Sequence, residues 1–186
     1  MVRIEFSHRA HFFRACMLVA IVCGVSYIAR GDRLPLQEFT TANGLAGNSI
    51  NKIVRDSRGF LWFCTEEGLS RFDGYNFINY GTQQGLPQSG VNDLIETKAG
   101  EYWLANNSGL VHLNPKGSPL NRIVYANEAT GDTPPMFTVV VPEDSDRHAR
   151  YITALIEGHD GTIWCGTYKG LYRLSSSGGR FSLLPV

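Results

Sequence analysis

The side chains that could carry acid–base or metal chemistry are scattered along this sequence. His112, His148 and His159 share no spacing with one another or with a candidate nucleophile. Asp56 and Asp160 lie near turn glycines but lack the D-x-D-x-D-G spacing of a calcium loop, so we assign them to turns. No G-x-S-x-G, H-E-x-x-H or P-loop is present. We therefore predict no catalytic residue, no cofactor-binding residue, no metal ligand and no cofactor, and we expect that the chain is not an enzyme.

The aromatic and acidic groups leave a binding role open. Tryptophans that recur at equivalent positions, as Trp62, Trp103 and Trp164 do, favour packing between repeats, with sugar stacking as the alternative. An acidic patch could bind a cation, although a solvated loop is the preferred interpretation. The patch consists of Glu143, Asp144 and Asp146.

The four cysteines, at positions 16, 23, 64 and 165, form no C-x-x-C pair and no zinc-ligand spacing. Cys64 lies two residues after Trp62, whereas Cys165 lies one residue after Trp164. Side chains alternate between the faces of a strand, so these two thiols should point to opposite faces. A disulfide between Cys64 and Cys165 is not expected.

Composition favours an all-β protein. Seventeen basic residues balance seventeen acidic ones, so no single-sign field favours nucleic acid as a partner. Twenty glycines, 11% aromatic and only 18% charged residues suit many short strands joined by tight turns.

Residues 1–30 have the layout of a signal peptide or an N-terminal membrane anchor. Basic residues precede an apolar run from Ala15 to Ala29, and charged residues follow it. As a helix this run would span about 22 Å, against about 30 Å of hydrocarbon, which favours export over a permanent span. A buried helix of a soluble fold is the alternative. We expect a periplasmic location, with the protein exported or anchored to the inner membrane by residues 12–29.

The rest of the chain is built from internal repeats. Three segments align without gaps: Asn48–Asp73, Ser89–Asn114 and Arg150–Ser175. Each has a turn glycine, a tryptophan three residues later and a Gly-Leu pair six residues after the tryptophan. The shared positions are Gly59, Gly100 and Gly161; Trp62, Trp103 and Trp164; Gly68-Leu69, Gly109-Leu110 and Gly170-Leu171.

Each repeat predicts a four-stranded antiparallel meander, the unit of a β-propeller blade. The first strands are predicted at Ile50–Arg55, Val91–Glu96 and Ile152–Glu157, followed by a Gly-containing turn and the tryptophan strand. We expect an all-β, partial β-propeller over residues 31–186, preceded by one N-terminal hydrophobic helix. Its three blades should cover about residues 48–80, 89–141 and 150–184.

The second blade carries an insertion near residues 115–149. The second and third tryptophans are 61 residues apart, against 41 for the first pair. We expect a loop on one rim, in which Phe137–Val141 forms an outer strand. Before the first repeat, Leu36–Thr40 is predicted as the end of a fourth strand of another blade.

These motifs resemble the two-component regulator propeller repeat. The third repeat is the most similar, with Asp160-Gly161, Trp164-Cys165-Gly166-Thr167 and Gly170-Leu171-Tyr172-Arg173. The second departs most, with Ala105-Asn106 in place of Gly-Thr and His112 in place of Arg.

The resemblance implies the periplasmic sensor region of a membrane histidine kinase, a hybrid two-component protein or a diguanylate cyclase. It also implies further blades and a triple-tyrosine domain, in the same or another chain, as partners. We expect an incomplete sensor whose propeller binds an unknown small-molecule or glycan ligand. The alternatives are an extracytoplasmic propeller enzyme of the lyase or quinoprotein type and a protein-interaction scaffold. Arg71 and Arg173 occupy equivalent positions, but His112 interrupts the series, so we do not assign them to a site.

Overall fold

A computed structural model of the protein describes residues 36–128 and 132–186. The predicted N-terminal hydrophobic helix, the membrane-targeting segment and the cysteines at positions 16 and 23 lie outside the described residues. Within the described ranges, no helix has the length and hydrophobicity needed to cross a membrane.

In the part of the chain that the structure describes, twelve strands form three separate four-stranded antiparallel sheets, each in sequential strand order. The strands of blade 1 are β1 Ile50–Arg55, β2 Leu61–Thr65, β3 Gly68–Phe72 and β4 Phe77–Tyr80. Those of blade 2 are β5 Val91–Glu96, β6 Tyr102–Asn106, β7 Gly109–Leu113 and β8 Phe137–Val140. Those of blade 3 are β9 Ile152–Glu157, β10 Ile163–Thr167, β11 Gly170–Ser177 and β12 Arg180–Pro185. The predicted all-β blades are confirmed.

The turn between the first two strands of each blade needs a glycine. Gly59, Gly100 and Gly161 have φ angles of 91°, 80° and 83°, in the left-handed region that a residue with a Cβ rarely adopts. This geometry reverses the chain so that the tryptophan strand pairs with the first strand.

The first strand of every blade contains an irregularity at the same repeat position. The register between first and second strand shifts at Asn51, Asn92 and Thr153. An extra residue at such a bulge leaves the ladder and can turn its side chain elsewhere. Asn51 and Asn92 use this freedom to contact the following blade.

The blades stack face to face, and two hydrophobic clusters hold the stack together. In each seam, the tryptophan-bearing face of one blade packs against the opposite face of the next. Cluster 1, in the first seam, joins Trp62, Cys64 and Leu69 of blade 1 to blade 2 residues including Leu104 and Val111. Cluster 2, in the second seam, joins Trp103, Ala105 and Leu110 to Ile152, Cys165 and Tyr172, among others. Burial of these apolar side chains is the main force that holds one blade against the next.

The insertion of blade 2 packs on its own blade and on blade 3. Its residues 124–126 run beside β8, where Val139 N donates to Val124 O and Ala126 N donates to Val139 O. Asn127 then exchanges two 3.1 Å hydrogen bonds with the backbone of Phe181 in β12. The predicted outer strand is confirmed, as Phe137–Val140.

The prediction of a strand at Leu36–Thr40 is wrong. Thr40 accepts backbone hydrogen bonds from Asn43 and Leu45 and so begins a short 3-10 turn, Thr41–Asn43. Its own N–H donates to the Asn43 side chain. Among the described residues no strand pairs with Leu36–Thr40, so this segment has no β ladder to join. Phe39, just before the turn, packs on Phe72 and Phe77 of blade 1.

Candidate functional site

The first seam contains a buried carboxylate, Asp56, in the turn after β1. Its Oδ2 accepts hydrogen bonds from the Trp62 indole and from the Tyr102 hydroxyl of blade 2, both at 2.9 Å. Its Oδ1 accepts from the backbone N–H groups of Arg58 and Phe60. Four donors satisfy this carboxylate, which therefore joins two blades without leaving an uncompensated buried charge.

The surroundings in this seam shift the pKa values of Asp56 and Tyr102. Burial alone would raise the pKa of Asp56, but hydrogen bonds from Trp62, Tyr102 and the backbone outweigh it and lower the pKa below its usual value. Burial, together with the hydrogen bond to Asp56, raises the pKa of Tyr102 to about 12. Asp56 is therefore ionised and Tyr102 protonated at neutral pH, which suits a permanent structural contact.

A cavity of about 390 Å³ opens at the rim of this seam. Arg58 lies on its wall, where Nη2 donates to the Tyr102 hydroxyl at 2.9 Å and the guanidinium covers the Tyr102 ring. The other lining residues are Ser57, Glu96, Gly100, Asn114, Pro115 and Lys116. The polar groups of Ser57, Arg58, Glu96 and Tyr102 are hydrogen-bonded to one another, so this cavity offers few free groups to a ligand.

Two hydrogen bonds recur in both seams at equivalent positions. The bulge residue Asn51 donates to Val91 O at 2.8 Å, and its equivalent Asn92 donates to Ile152 O at 2.7 Å. The second contact joins a turn N–H to a glutamate of the next blade. Ser57 N donates to Glu96 Oε2 at 2.6 Å in the first seam, and Lys98 N donates to Glu157 Oε2 at 2.9 Å in the second. The repeat thus specifies how consecutive blades dock.

An ion pair connects the first strands of all three blades. Lys52 of β1 lies 3.1 Å from Oδ1 of Asp93 in β5, and Oδ2 of Asp93 accepts from Leu155 N of β9. The Asp93 side chain is buried, whereas that of Lys52 is half exposed. Asp93 therefore fixes the spacing of the three first strands.

The structure separates the tryptophans into two classes. Trp62 and Trp103 are buried in cluster 1 and cluster 2, so the predicted packing between repeats is confirmed for them. Trp164, on the outer face of blade 3, is only half buried. On the same face, Ile156 is 65% and Leu171 47% exposed. Blade 3 thus presents the surface that blades 1 and 2 bury in their seams.

The position shared by Arg71, His112 and Arg173 has different surroundings in each blade. The Arg71 guanidinium lies 4.5 Å from the ring centre of Phe60, and the His112 ring packs on Trp103 at 4.7 Å. Burial lowers the pKa of His112, which keeps the ring neutral at pH 7. Arg173 is exposed. These residues do not converge on one site.

The acidic patch of the insertion is used for packing. Asp144 accepts from the Lys169 ammonium at 2.7 Å and from the Tyr172 hydroxyl at 2.8 Å, so it pins the insertion to blade 3. The hydrogen bond from Lys169 is the main cause that lowers the pKa of Asp144 to about 2. Asp146 begins the 3-10 helix Arg147–Arg150 by accepting from His148 N. Within the described ranges, no cluster of side chains has the arrangement of a metal site.

The predicted cysteine geometry is confirmed. Cys64 and Cys165 are both buried, unpaired with each other, and belong to different seams. Desolvation raises the pKa of each thiol to about 12, which makes both thiols unreactive.

Sequence reasoning missed the hydrogen-bond network of the first seam. The repeat position of Asp56 is occupied by Thr97 in blade 2 and by Gly158 in blade 3, so the repeat pattern gives no signal for this network. The partner Tyr102 lies 46 residues away, in another repeat, and only the stacking of blades brings it to Asp56.

Comparison with known families supports this architecture. The family model of the two-component regulator propeller matches residues 44–67 and 148–169, which are the linker with the first two strands of blade 1 and the corresponding part of blade 3. Two segments of the chain, in blades 1 and 3, therefore match this repeat. The family match covers the glycine turn and the tryptophan strand in blades 1 and 3.

Proteins with similar sequence or fold include larger signalling and surface proteins. Over 56 residues, 30% of the chain, the sequence is 36% identical to histidine kinase P4 of Formosa agariphila, which it covers for 4% of its length. The extracellular domain of a hybrid two-component system protein, BT3049 of B. thetaiotaomicron, matches with a TM-score of 0.58 and 24% identity. This match covers 78% of the chain and 19% of that domain.

A second structure with the same fold is PorZ, a bacterial surface component of the type-IX secretion system of Porphyromonas gingivalis. It matches with a TM-score of 0.51 and 18% identity, over 84% of the chain and 22% of PorZ. The chain therefore spans less than a quarter of each of these relatives.

Proposed function

We propose that this chain is the extracytoplasmic sensory region of a two-component signalling protein, and that it binds a ligand without converting it. The observation that carries the proposal is the regulator propeller repeat itself, which the chain shares with a family named for two-component regulation. The similarity to histidine kinase P4 and the basic and apolar N-terminal segment add support. In this proposal the N-terminal segment, residues 12–29, holds the protein at the inner membrane or directs its export.

The open face of blade 3 supports further propeller blades as the partner. In both seams the tryptophan-bearing face is covered by the next blade, and the open face repeats the same apolar positions. Tyr168, at the edge of that face, is 70% exposed. Contiguous exposed apolar side chains favour a covering partner. A further blade of the same repeat, in this or another chain, fits this face because it continues the interface already formed twice. A triple-tyrosine domain would then complete the sensor.

Signalling would require a ligand that distinguishes two arrangements of the propeller and its partner domain. A ligand shifts such an equilibrium only by its difference in affinity for the two states. Hydrogen bonds at the rim of each seam join neighbouring blades. A ligand bound at a rim would change how tightly neighbouring blades dock.

The test is a thermal-shift screen of the full chain against small polar solutes, followed by mass spectrometry of each stabilising compound after incubation. A binding module is expected to gain thermal stability and to return the compound unchanged. Conversion of a compound to a product would overturn the proposal in favour of a propeller enzyme. Failure of every solute to stabilise the chain would favour a scaffold for protein contacts.

A further inference from the structure

The second seam has a cavity beside its tryptophan, at the place where the first seam has the hydrogen-bond network of Asp56. The cavity of the first seam is lined by Arg58 and Tyr102 and not by Trp62. The three residues of the first-seam network, Asp56, Arg58 and Tyr102, have smaller or apolar equivalents in the second seam. These equivalents are Thr97, Ala99 and Ile163. A cavity of about 350 Å³ opens at this place, and all three of the equivalents line it.

The indole N–H of Trp103 is left without an acceptor in this cavity. In the first seam the equivalent N–H, that of Trp62, donates to Asp56 at 2.9 Å. Trp103 is 1% exposed and lines the cavity, yet no acceptor among the described residues lies within hydrogen-bonding distance of its Nε1. A buried polar group without a partner is costly and rare in folded proteins. The missing acceptor therefore points to a bound molecule that supplies one.

The other residues that line the cavity indicate which further groups that molecule carries. Glu101, Glu157 and Asp160 place three carboxylates on the lining, and no basic side chain is part of it. Leu174 and Phe181 provide apolar contact. Glu157 Oε2 and both Asp160 oxygens already accept hydrogen bonds from the protein, whereas Glu101 is exposed. The lining thus combines acidic and apolar side chains.

We infer that the second seam binds a small amphipathic amine that also carries an oxygen acceptor. Its ammonium group would lie among the carboxylates, and its apolar body against Leu174 and Phe181. Its oxygen would accept from Trp103 Nε1. This inference rests on the proposed sensory function and deepens it by naming the site and the class of ligand.

The experiment is a titration of the ¹⁵N-labelled full chain with tyramine, followed by the indole N–H resonances. Tyramine has an ammonium group, an aromatic body and a phenolic oxygen. The Trp103 resonance is expected to shift, while that of Trp62, which already has Asp56 as its acceptor, stays unchanged. Phenethylamine, which lacks the oxygen, and tyrosol, which lacks the ammonium group, should each bind about tenfold more weakly or worse. Equal binding of all three compounds would overturn the inference.

Two variants link the binding to this cavity. Glu101→Gln removes an exposed carboxylate and is expected to weaken tyramine binding severalfold, whereas Glu66→Gln, an exposed control in blade 1, should leave it unchanged. The double variant Thr97→Asp with Ile163→Tyr rebuilds the first-seam network and should abolish binding. Tyramine that fails to shift Trp103 overturns the site. If another solute then stabilises the chain without being converted, the sensory proposal stands.

Discussion

At the residue scale, the turn residue before the tryptophan strand decides whether the buried indole N–H has a hydrogen-bond acceptor. Asp56 satisfies Trp62 and Tyr102 together, and its replacement by Thr97 in the next repeat removes both interactions. The tryptophans themselves could be assigned to packing from the sequence, because their spacing repeats. The role of Asp56 could not be assigned from the sequence, because a turn aspartate near a glycine has the same local pattern whether it is exposed or buried.

Asp56→Asn tests the network of the first seam. The amide keeps the shape of the carboxylate but loses its charge and replaces one acceptor oxygen with a donor. We expect the free energy of unfolding to fall by about 2–4 kcal/mol, because donors buried beside this side chain lose a charged acceptor. Urea unfolding followed by fluorescence measures it. Asp73→Asn makes the same chemical change at an exposed turn and should have a much smaller effect. Similar losses in both variants would contradict the buried network.

The pH dependence of stability provides an independent measurement. The folded state lowers the pKa of Asp56 below 3.8, so this group adds stability above pH 4 and loses it as the pH falls further. The difference in unfolding free energy between the wild type and Asp56→Asn should therefore be constant from pH 5 to 7 and shrink below about pH 4. A difference that grows on acidification would contradict this assignment.

At the element scale, the bulge in each first strand is a docking device. It directs Asn51 and Asn92 at a backbone carbonyl of the following blade, while Thr153 bonds to Gly166 O within its own blade. The first strands could be predicted from the sequence with their observed bounds, because apolar residues recur in register and glycines mark the turns. The bulges could not be predicted from the sequence, because an extra residue leaves the apolar pattern of the strand almost unchanged.

Asn92→Ala should loosen the second seam. The change removes the 2.7 Å hydrogen bond to Ile152 O and leaves that buried carbonyl without its side-chain donor. We expect a loss of about 1–2 kcal/mol in the free energy of unfolding, measured in urea. Thr153→Ala, at the equivalent position in blade 3, should cost clearly less. A greater loss for Thr153→Ala would show that the bulge does not dock the blades.

At the scale of the whole molecule, the three blades form a stack with two closed seams and an apolar outer face on blade 3. Ile95 packs in the second seam, whereas its equivalent Ile156 is 65% exposed. This asymmetry could not be predicted from the repeats, because matched residues have the same local sequence in every blade. Burial is decided by the neighbouring blade.

Substitution by aspartate distinguishes a closed from an open face. Ile95→Asp places a charge in the second seam and is expected to cost about 3 kcal/mol or more in unfolding free energy. Ile156→Asp changes an exposed residue and should cost less than about 1 kcal/mol. Chemical denaturation of the two variants in parallel is the measurement. Equal costs would mean that the outer face of blade 3 is covered in solution.

A topology reporter measures whether the propeller lies outside the cytoplasm. Alkaline phosphatase fused after Val186 becomes active only where its disulfides can form. We expect an active fusion, and loss of activity when Val19→Arg and Val22→Arg interrupt the apolar segment. An inactive phosphatase fusion, together with a fluorescent green fluorescent protein fusion at the same position, would place the blades in the cytoplasm and contradict the sensory account.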